Sequence, residues 1–597
     1  MGRGSPPEGE PESKGDPASP AVIPPHIFRE YDLRGLAGPD LNPATAEHLG
    51  RSYVVLLQQL HPHLPSSRPP RVAVGRDVRL SSPSLASALC AGLLSQGVEV
   101  LDLGVCPTPL LYFSLFYLDL EGGIMVTGSH NPPEYNGFKM CVGKDTIYGP
   151  AIQRLREISS QLPPLPMPPA RTASLGPTAC TSSTTSLASL ASTTATATAS
   201  TSALGSRREQ PIIPLYLSWM VDHFRQMGLA PARGDLGAAP SALPAPLRVV
   251  VDAGNGTAGL VAPALLRSLG CQVIELCCQP DGRFPHHHPD PTLPENLQDL
   301  IARVIAEKAD LGLAFDGDAD RLGVVDGSGQ IIWGDRLLYV FARDILSQSP
   351  SPTSPSSPTA PASASPAAPA APAPASPAAP AAPAAPAAPA ALTSTLAMAS
   401  PPAPPLFIGE VKCSQAVYDA IEAAGGRVLM SRTGHSPIKQ LLKESGAVLA
   451  GEMSGHLFFA DRYFGYDDAI YAGARLIEIL IRRRTPLSSL LADLPSTFCT
   501  PEIRLPCPED RKFALVRAIA QALDSGHHPP FPSPLRQVVT IDGLRLIFAS
   551  GWALIRASNT QPALVLRFEA NSSPDLEKIR SWVEGMVEAA ERRMGGA

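Results

Sequence analysis

The sequence predicts an α/β protein of three similar mixed α/β domains followed by a smaller α+β domain. Three observations predict it. Apolar runs of about five residues alternate with helix-length amphipathic segments from residue 22 onward, the rhythm of βαβ units. From about residue 496 the order changes to a helix, then strands, then a final helix. Two stretches, 161–208 and 347–405, are dominated by Pro, Ser, Thr and Ala and hold too few large apolar residues to bury a core.

The elements follow in order. Residues 1–21 are rich in Gly, Pro and Glu and read as a disordered leader. Residues 22–160 form the first domain. It has a strand over 71–75, a helix opened by Ser82-Pro83 and closed at Gly97, a strand over 98–103, and a buried strand over 124–126. A linker over 161–208 leads to the second domain, 209–330. There a strand over 247–251 turns through Asp252-Ala253-Gly254-Asn255-Gly256 into a helix, and a further helix, 295–308, precedes a strand over 311–315.

The third domain, 331–495, is interrupted by the Pro-Ala tract 347–405, which must loop out from between a helix over 336–345 and a strand over 406–411. Loop closure costs only about 0.6 kcal/mol per doubling of length, so such an insertion is tolerable. In the fourth domain, 496–597, Asp542-Gly543 reads as a two-residue hairpin turn. Leu576, Ile579, Val583, Met586 and Ala590 then lie on one stripe of the last helix.

Bulk properties exclude some functions. A net charge of −6 gives no basic field for nucleic acid. The apolar run 110–118 is too short to cross a bilayer, so no membrane association is expected. The ten cysteines show no Cys-x-x-Cys spacing, which favours reduced thiols and a cytoplasmic location.

Four loops carry chemistry. In Thr127-Gly128-Ser129-His130-Asn131-Pro132-Pro133 a buried strand delivers one hydroxyl into a turn, with Lys139 ten residues on; no Ser-x-x-Lys or Gly-x-Ser-x-Gly pattern marks a hydrolase. In Asp316-Gly317-Asp318-Ala319-Asp320-Arg321 a strand ends in three alternating carboxylates. An EF-hand fails because Arg321 and Gly327 stand where glycine and glutamate are needed. Three carboxylates with open positions suit Mg²⁺. In Gly451-Glu452-Met453-Ser454-Gly455-His456, Glu452, Ser454 and His456 can meet several sugar hydroxyls. In Arg556-Ala557-Ser558-Asn559-Thr560-Gln561, a guanidinium, two hydroxyls and an amide make an anion receptor. His286-His287-His288 lacks ligand spacing and reads as part of a rigid turn.

Those loops, in that order, resemble the α-D-phosphohexomutase superfamily. The resemblance is closest to the bacterial phosphomannomutase/phosphoglucomutase branch, through Ile27-Phe28-Arg29-Glu30-Tyr31-Asp32-Leu33-Arg34-Gly35 and Gly451 to His456. Phosphoglucosamine mutases are similar but typically place Gln where Met453 stands. The resemblance implies four domains around a central cleft and an isomerase interconverting hexose 1-phosphate and 6-phosphate, of mannose or glucose. It further implies a phosphoserine enzyme and a 1,6-bisphosphate, which also serves as activator. Ser129 would carry the phosphoryl group, and Ser129, Asp316, Asp318 and Asp320 would hold Mg²⁺. Tyr31, Arg34, His130, Lys139 and Arg321 would surround it, with acid/base duty on Lys139 or His130. Glu452 and Ser454 would meet the sugar, with Lys412, His435 and His456 nearby; Arg556, Ser558, Asn559 and Thr560 would grip the second phosphate. A monomer is expected. Two rivals use the same residues: a phosphatase without a second acceptor, and a sugar-phosphate-binding scaffold whose Pro-Ala tract recruits partners.

Overall fold

A computed structural model describes residues 23–61, 64–65, 67–163, 205–229, 246–348, 403–559 and 561–595. The expected leader, most of the 161–208 linker and nearly all of the Pro-Ala tract lie outside these residues.

The chain builds four units, each on its own sheet. In the first, Gly122–Val126, Arg71–Arg76 and Glu99–Val105 run parallel, and Tyr135–Val142 and Leu33–Leu36 add antiparallel edges. Helices Pro43–Leu60, Ser82–Ser95 and Pro150–Gln161 pack on one face. Asn42 caps the first of them by accepting the Thr45 N–H at 3.0 Å, with Pro43 in the first turn. Strand Arg207–Glu209 pairs parallel with Glu99–Val105, so the end of the expected linker and its boundary at 208 fall inside this sheet. Its three residues, Arg-Arg-Glu, are all exposed, so no apolar pattern marked it as a strand.

The second sheet centres on Arg248–Asp252, parallel to Leu311–Phe315 and to Gln272–Leu276; Leu322–Asp326 returns antiparallel. The third places Leu406–Glu410 between Arg427–Ser431 and Leu449–Gly451, all parallel. Helix Ala469–Arg483 is buried from Ala469 to Leu480, and the two charges within that stretch are paired, Arg475 with Asp461 and Glu478 with Arg462. One continuous core runs through all three units, joining Phe113, Tyr216, Leu265, Leu313, Phe341, Phe459 and Tyr471.

The fourth unit is different. Its antiparallel sheet carries helices Lys512–Asp524 and Ser573–Gly595 on one face and has a separate core. Ile579, Val583, Met586 and Ala590 are buried there as the stripe predicts. It meets the third unit through Val411, Trp552 and Leu554, and through Arg545, which donates to the Val411 and Cys413 carbonyls at 2.5 and 2.8 Å. The Asp542-Gly543 turn is not a two-residue hairpin. Strands Leu535–Val539 and Leu544–Phe548 leave a loop over 540–543, because Asp542 is drawn away to accept the Thr433 N–H at 3.1 Å and the Arg556 Nε–H at 3.0 Å.

Candidate active site

The carboxyl ends of the parallel strands face a common cleft, where ligands of open α/β sheets sit. Strand Gly122–Val126 ends at Ser129, whose φ of 48° is left-handed and unusual for a residue with a Cβ. Strand Leu311–Phe315 ends at the aspartates, with Ala319 also left-handed at 61°. The two turns interlock. A Cβ on Gly317 would come 2.5 Å from the Ser129 carbonyl oxygen, so only glycine lets the loops touch.

The Ser129 hydroxyl donates to Asp316 Oδ2 at 2.9 Å and lies 3.1 Å from His130 Nδ1. Asp316 Oδ1 accepts the Asp320 and Arg321 N–H groups at 3.0 and 3.1 Å, which fixes the turn. Lys139 donates to Asp318 Oδ2 at 2.7 Å and to Asp320. All three aspartates are buried, and their ligand oxygens lie within 4.8 Å of one another. Asp318 Oδ1 and Asp320 Oδ1 are buried without hydrogen-bond partners. Such orphaned, all-oxygen donors fit a small hard cation.

Burial, reinforced by Asp320 and Asp318, pushes the Asp316 carboxyl well above the usual range. Burial acts the same way on Asp320, but Lys139 and His456 overcome it and the net shift is downward. Burial and then the Arg321, Arg34 and Lys139 cations hold His130 well below its usual range, so it is neutral.

The third unit closes the other side. The Leu322 N–H donates to the Gly455 carbonyl at 3.0 Å, which joins the aspartate loop directly to the Gly451–His456 loop. His456 Nε2 accepts from Arg321 Nε at 3.1 Å, and its Nδ1 lies 3.1 Å from Asp467 Oδ2. Asp467 also pairs with Lys439 at 3.0 Å and lies 4.0 Å from His435. Glu452 accepts the Gly434 N–H at 2.6 Å and the Ser454 hydroxyl at 3.1 Å. Lys412 pairs with Glu502 of the fourth unit at 3.3 Å.

Tyr31 and Arg34 do not contact Ser129 directly. Arg34 donates to Asn131 Oδ1 at 2.6 Å and pairs with Asp32. The Tyr31 hydroxyl donates to the Thr433 carbonyl at 2.7 Å and accepts from Asn559 Nδ2 at 2.6 Å, tying the first, third and fourth units together. Arg556 is held by Asp542, and the Ser558 carbonyl accepts from Lys512 at 2.6 Å. Thr560 lies outside the described residues.

Sequence reasoning missed several residues. Arg79 is fully buried and donates to the carbonyls of Ser129, Asn131, Pro132 and Tyr135 at 2.8, 2.6, 2.5 and 3.0 Å, while pairing with Asp77. Thr108 donates to Asp318 Oδ2 at 2.5 Å. Asp467 had no signal beyond its place one residue before a helix cap.

Four family models match the chain in sequence. Those described as "Phosphoglucomutase/phosphomannomutase, alpha/beta/alpha domain" I, II and III match residues 25–162, 236–329 and 390–498, and the C-terminal domain matches 502–584. The chain belongs to the phosphoglucomutase/phosphomannomutase family. A phosphomannomutase/phosphoglucomutase of Pseudomonas aeruginosa is 38% identical over 574 residues, 96% of this chain and 98% of that protein. A phosphoglucomutase of Neisseria gonorrhoeae is 36% identical over 94% of this chain and 97% of its own length. The crystal structure of a Burkholderia thailandensis family protein superposes with a TM-score of 0.70 at 34% identity, covering 95% of this chain and 98% of that one. The family's reaction is the isomerisation of hexose 1-phosphate to hexose 6-phosphate through a phosphoserine, and this chain is an enzyme of that type. The family is metal-dependent. No helix among the described residues is long and apolar enough to cross a membrane.

Proposed function

We propose that Ser129 is the phosphoryl carrier, that Asp316, Asp318 and Asp320 hold Mg²⁺ beside it, and that the substrates are glucose and mannose phosphates. The single observation that carries this reading is the 2.9 Å bond from the Ser129 hydroxyl to Asp316 within a buried carboxylate trio. When bound, Mg²⁺ would draw negative charge from the transferring phosphoryl oxygens.

The chain's own groups divide the remaining work. On this reading a sugar hydroxyl attacks in line with phosphoserine, the Ser129 Oγ–P bond breaks, and a sugar O–P bond forms. The hydroxyl proton needs an acceptor. Lys139 is locked as an ammonium between two carboxylates, and His130 sits among cations that disfavour a second charge. His456 lies 3.1 Å from Asp467, but its Nε2 already accepts the Arg321 Nε–H and is no free base. The neutral His130, 3.1 Å from the Ser129 hydroxyl, keeps a ring lone pair and is the acceptor on this reading, its charged form lasting only until the proton returns. The bisphosphate then reverses in the cleft. Its other phosphoryl group returns to Ser129, and the proton returns to the freed sugar oxygen.

Glu452 and Ser454 would read hydroxyls shared by both orientations, with Lys412 and His435 beside them. Arg556, Ser558, Asn559 and Thr560 would hold the idle phosphate. Hexose 1,6-bisphosphate would load an unphosphorylated Ser129 and so act as activator. All four loops come from one chain, which supports a monomer. Nine described cysteines, all free, accord with a reducing cytoplasm.

The test is a coupled assay of mannose 1-phosphate and glucose 1-phosphate conversion to the 6-phosphates, with wild type and Ser129→Ala. Conversion of both sugars by wild type and of neither by the variant is expected. Inorganic phosphate release without isomer would establish the phosphatase instead.

A further inference from the structure

One strand away from the aspartate trio lies a second group of metal-ligating side chains, which the mutase reaction does not use. Asp252 ends strand Arg248–Asp252, where its register partner is Ala314 on the strand leading to Asp316. Cys277 follows strand Gln272–Leu276, and His287 is the middle member of the histidine triplet. The ligand atoms of these three residues lie within 4.8 Å of one another.

The triplet itself does not act as a unit. His286 Nδ1 sits 2.7 Å from Asn255 Oδ1, and it is His287 that reaches Asp252. Its Nε2 lies 3.2 and 3.0 Å from the two Asp252 oxygens, and its Nδ1 lies 3.0 Å from the His288 carbonyl. An Nδ1–H donated to a backbone carbonyl fixes the tautomer that aims an Nε2 lone pair, the usual outer support of a metal-bound histidine. That lone pair then faces a carboxylate. Two acceptors about 3 Å apart require a cation between them, either a proton or a metal, and ligands of one tetrahedral ion at about 2.0 Å stand at similar separations. The protein holds Cys277 beside the pair in a left-handed conformation, φ 48°, that costs a non-glycine residue energy.

We infer that Asp252, Cys277 and His287 form a second metal site, selective for a borderline cation such as Zn²⁺ over Mg²⁺. The donor set decides the class. One nitrogen, one sulfur and one carboxylate oxygen suit tetrahedral zinc with a water in the fourth position, whereas magnesium takes oxygen alone. Loading releases the Cys277 thiol proton, together with the His287 proton where that ring is charged, and Asp252 exchanges its ion pair for a metal bond. Occupancy would fix the loop running on to Pro289, which packs on Gly254, and to Asp290, which lies 3.8 Å from Arg321.

The experiment uses the full chain with excess Mg²⁺ to satisfy the aspartate trio, titrated with Co²⁺ as a spectroscopic stand-in for zinc. A thiolate-to-cobalt charge-transfer band saturating at one equivalent is expected, bleached on adding Zn²⁺. Cys277→Ser should abolish the band, His287→Ala should weaken binding at least tenfold, and Cys278→Ser, one residue away, should retain it. Zn²⁺ should also raise the melting temperature of wild type and leave Cys277→Ser unmoved. Absence of the band in wild type, or its survival in Cys277→Ser, would show that the His287–Asp252 contact is an ion pair and nothing more.

Discussion

Replacing Arg79 by lysine tests whether the serine loop is held from beneath. The Arg79 guanidinium serves five acceptors: Asp77 and the carbonyls of Ser129, Asn131, Pro132 and Tyr135. A lysine ammonium has three donors, so at least two acceptors lose their partner. At roughly 1–1.5 kcal/mol per bond, rising where the donor is charged, the loss is about 2–4 kcal/mol. It falls mainly on the carbonyls of the Ser129 loop, so on the proposed reading kcat/KM should drop by about 30- to 1,000-fold, with kcat carrying most of the loss. Arg79→Met should do worse, because it takes the countercharge from the buried Asp77 carboxylate, which keeps only the backbone N–H groups of residue 79 and Gly128 and the Ser82 hydroxyl. The cost is up to about 3–5 kcal/mol, and the melting temperature should fall as well. Gly128→Ala is an independent arm: its Cβ would sit 2.5 Å from Arg79 Nε and push the guanidinium off the loop. The assay is steady-state conversion of glucose 1-phosphate alongside thermal melting. A lysine variant within about threefold of wild type, with an unchanged melt, would refute the reasoning.

Three other outcomes are expected. Tyr31→Phe removes the hydroxyl between Thr433 and Asn559, and at about 1–3 kcal/mol should cost roughly 5- to 100-fold in kcat/KM, mainly through KM if it acts in domain closure; an unchanged KM would count against that role. Chelation should abolish turnover and Mg²⁺ should restore it, and full activity in chelator would remove the metal from the scheme. In chelated protein, hydrogen bonding to Asp252 raises His287 to about 9 from 6.5. Its stabilisation is therefore fully present below pH 6.5 and lost as pH rises through 9. The melting-temperature gap between wild type and His287→Gln should narrow across that window; a constant gap would contradict the pairing.

How much of this was legible in the sequence depended on where the determining contacts lie. The aspartate and serine loops were readable because strand, turn and chemistry share a dozen consecutive residues. Arg79, Thr108 and Asp467 were not: the carbonyls Arg79 holds lie 50 or more residues away, Thr108's partner 210 and His456 11 from Asp467, and nothing local distinguishes an arginine that supports a loop from one in water. The Asp542-Gly543 turn misled for a related reason: a local hairpin preference yielded to a tertiary demand on the Asp542 carboxylate.

The same long-range contacts set the charge logic of the cleft. Asp316, Asp318, Asp320 and Asp467 bring four buried carboxyl groups together against Lys139, Arg321 and Lys439, and with Asp316 pushed up by burial and its two neighbours the metal-free cluster is close to balanced. On the proposed reading a phosphoserine would add close to two negative charges and a divalent ion two positive ones. Either arriving alone would unbalance a desolvated site; together they leave its sum nearly unchanged. Retaining phosphoserine and retaining the metal should therefore be mutually dependent, a coupling that follows from the contacts across units rather than from any single motif.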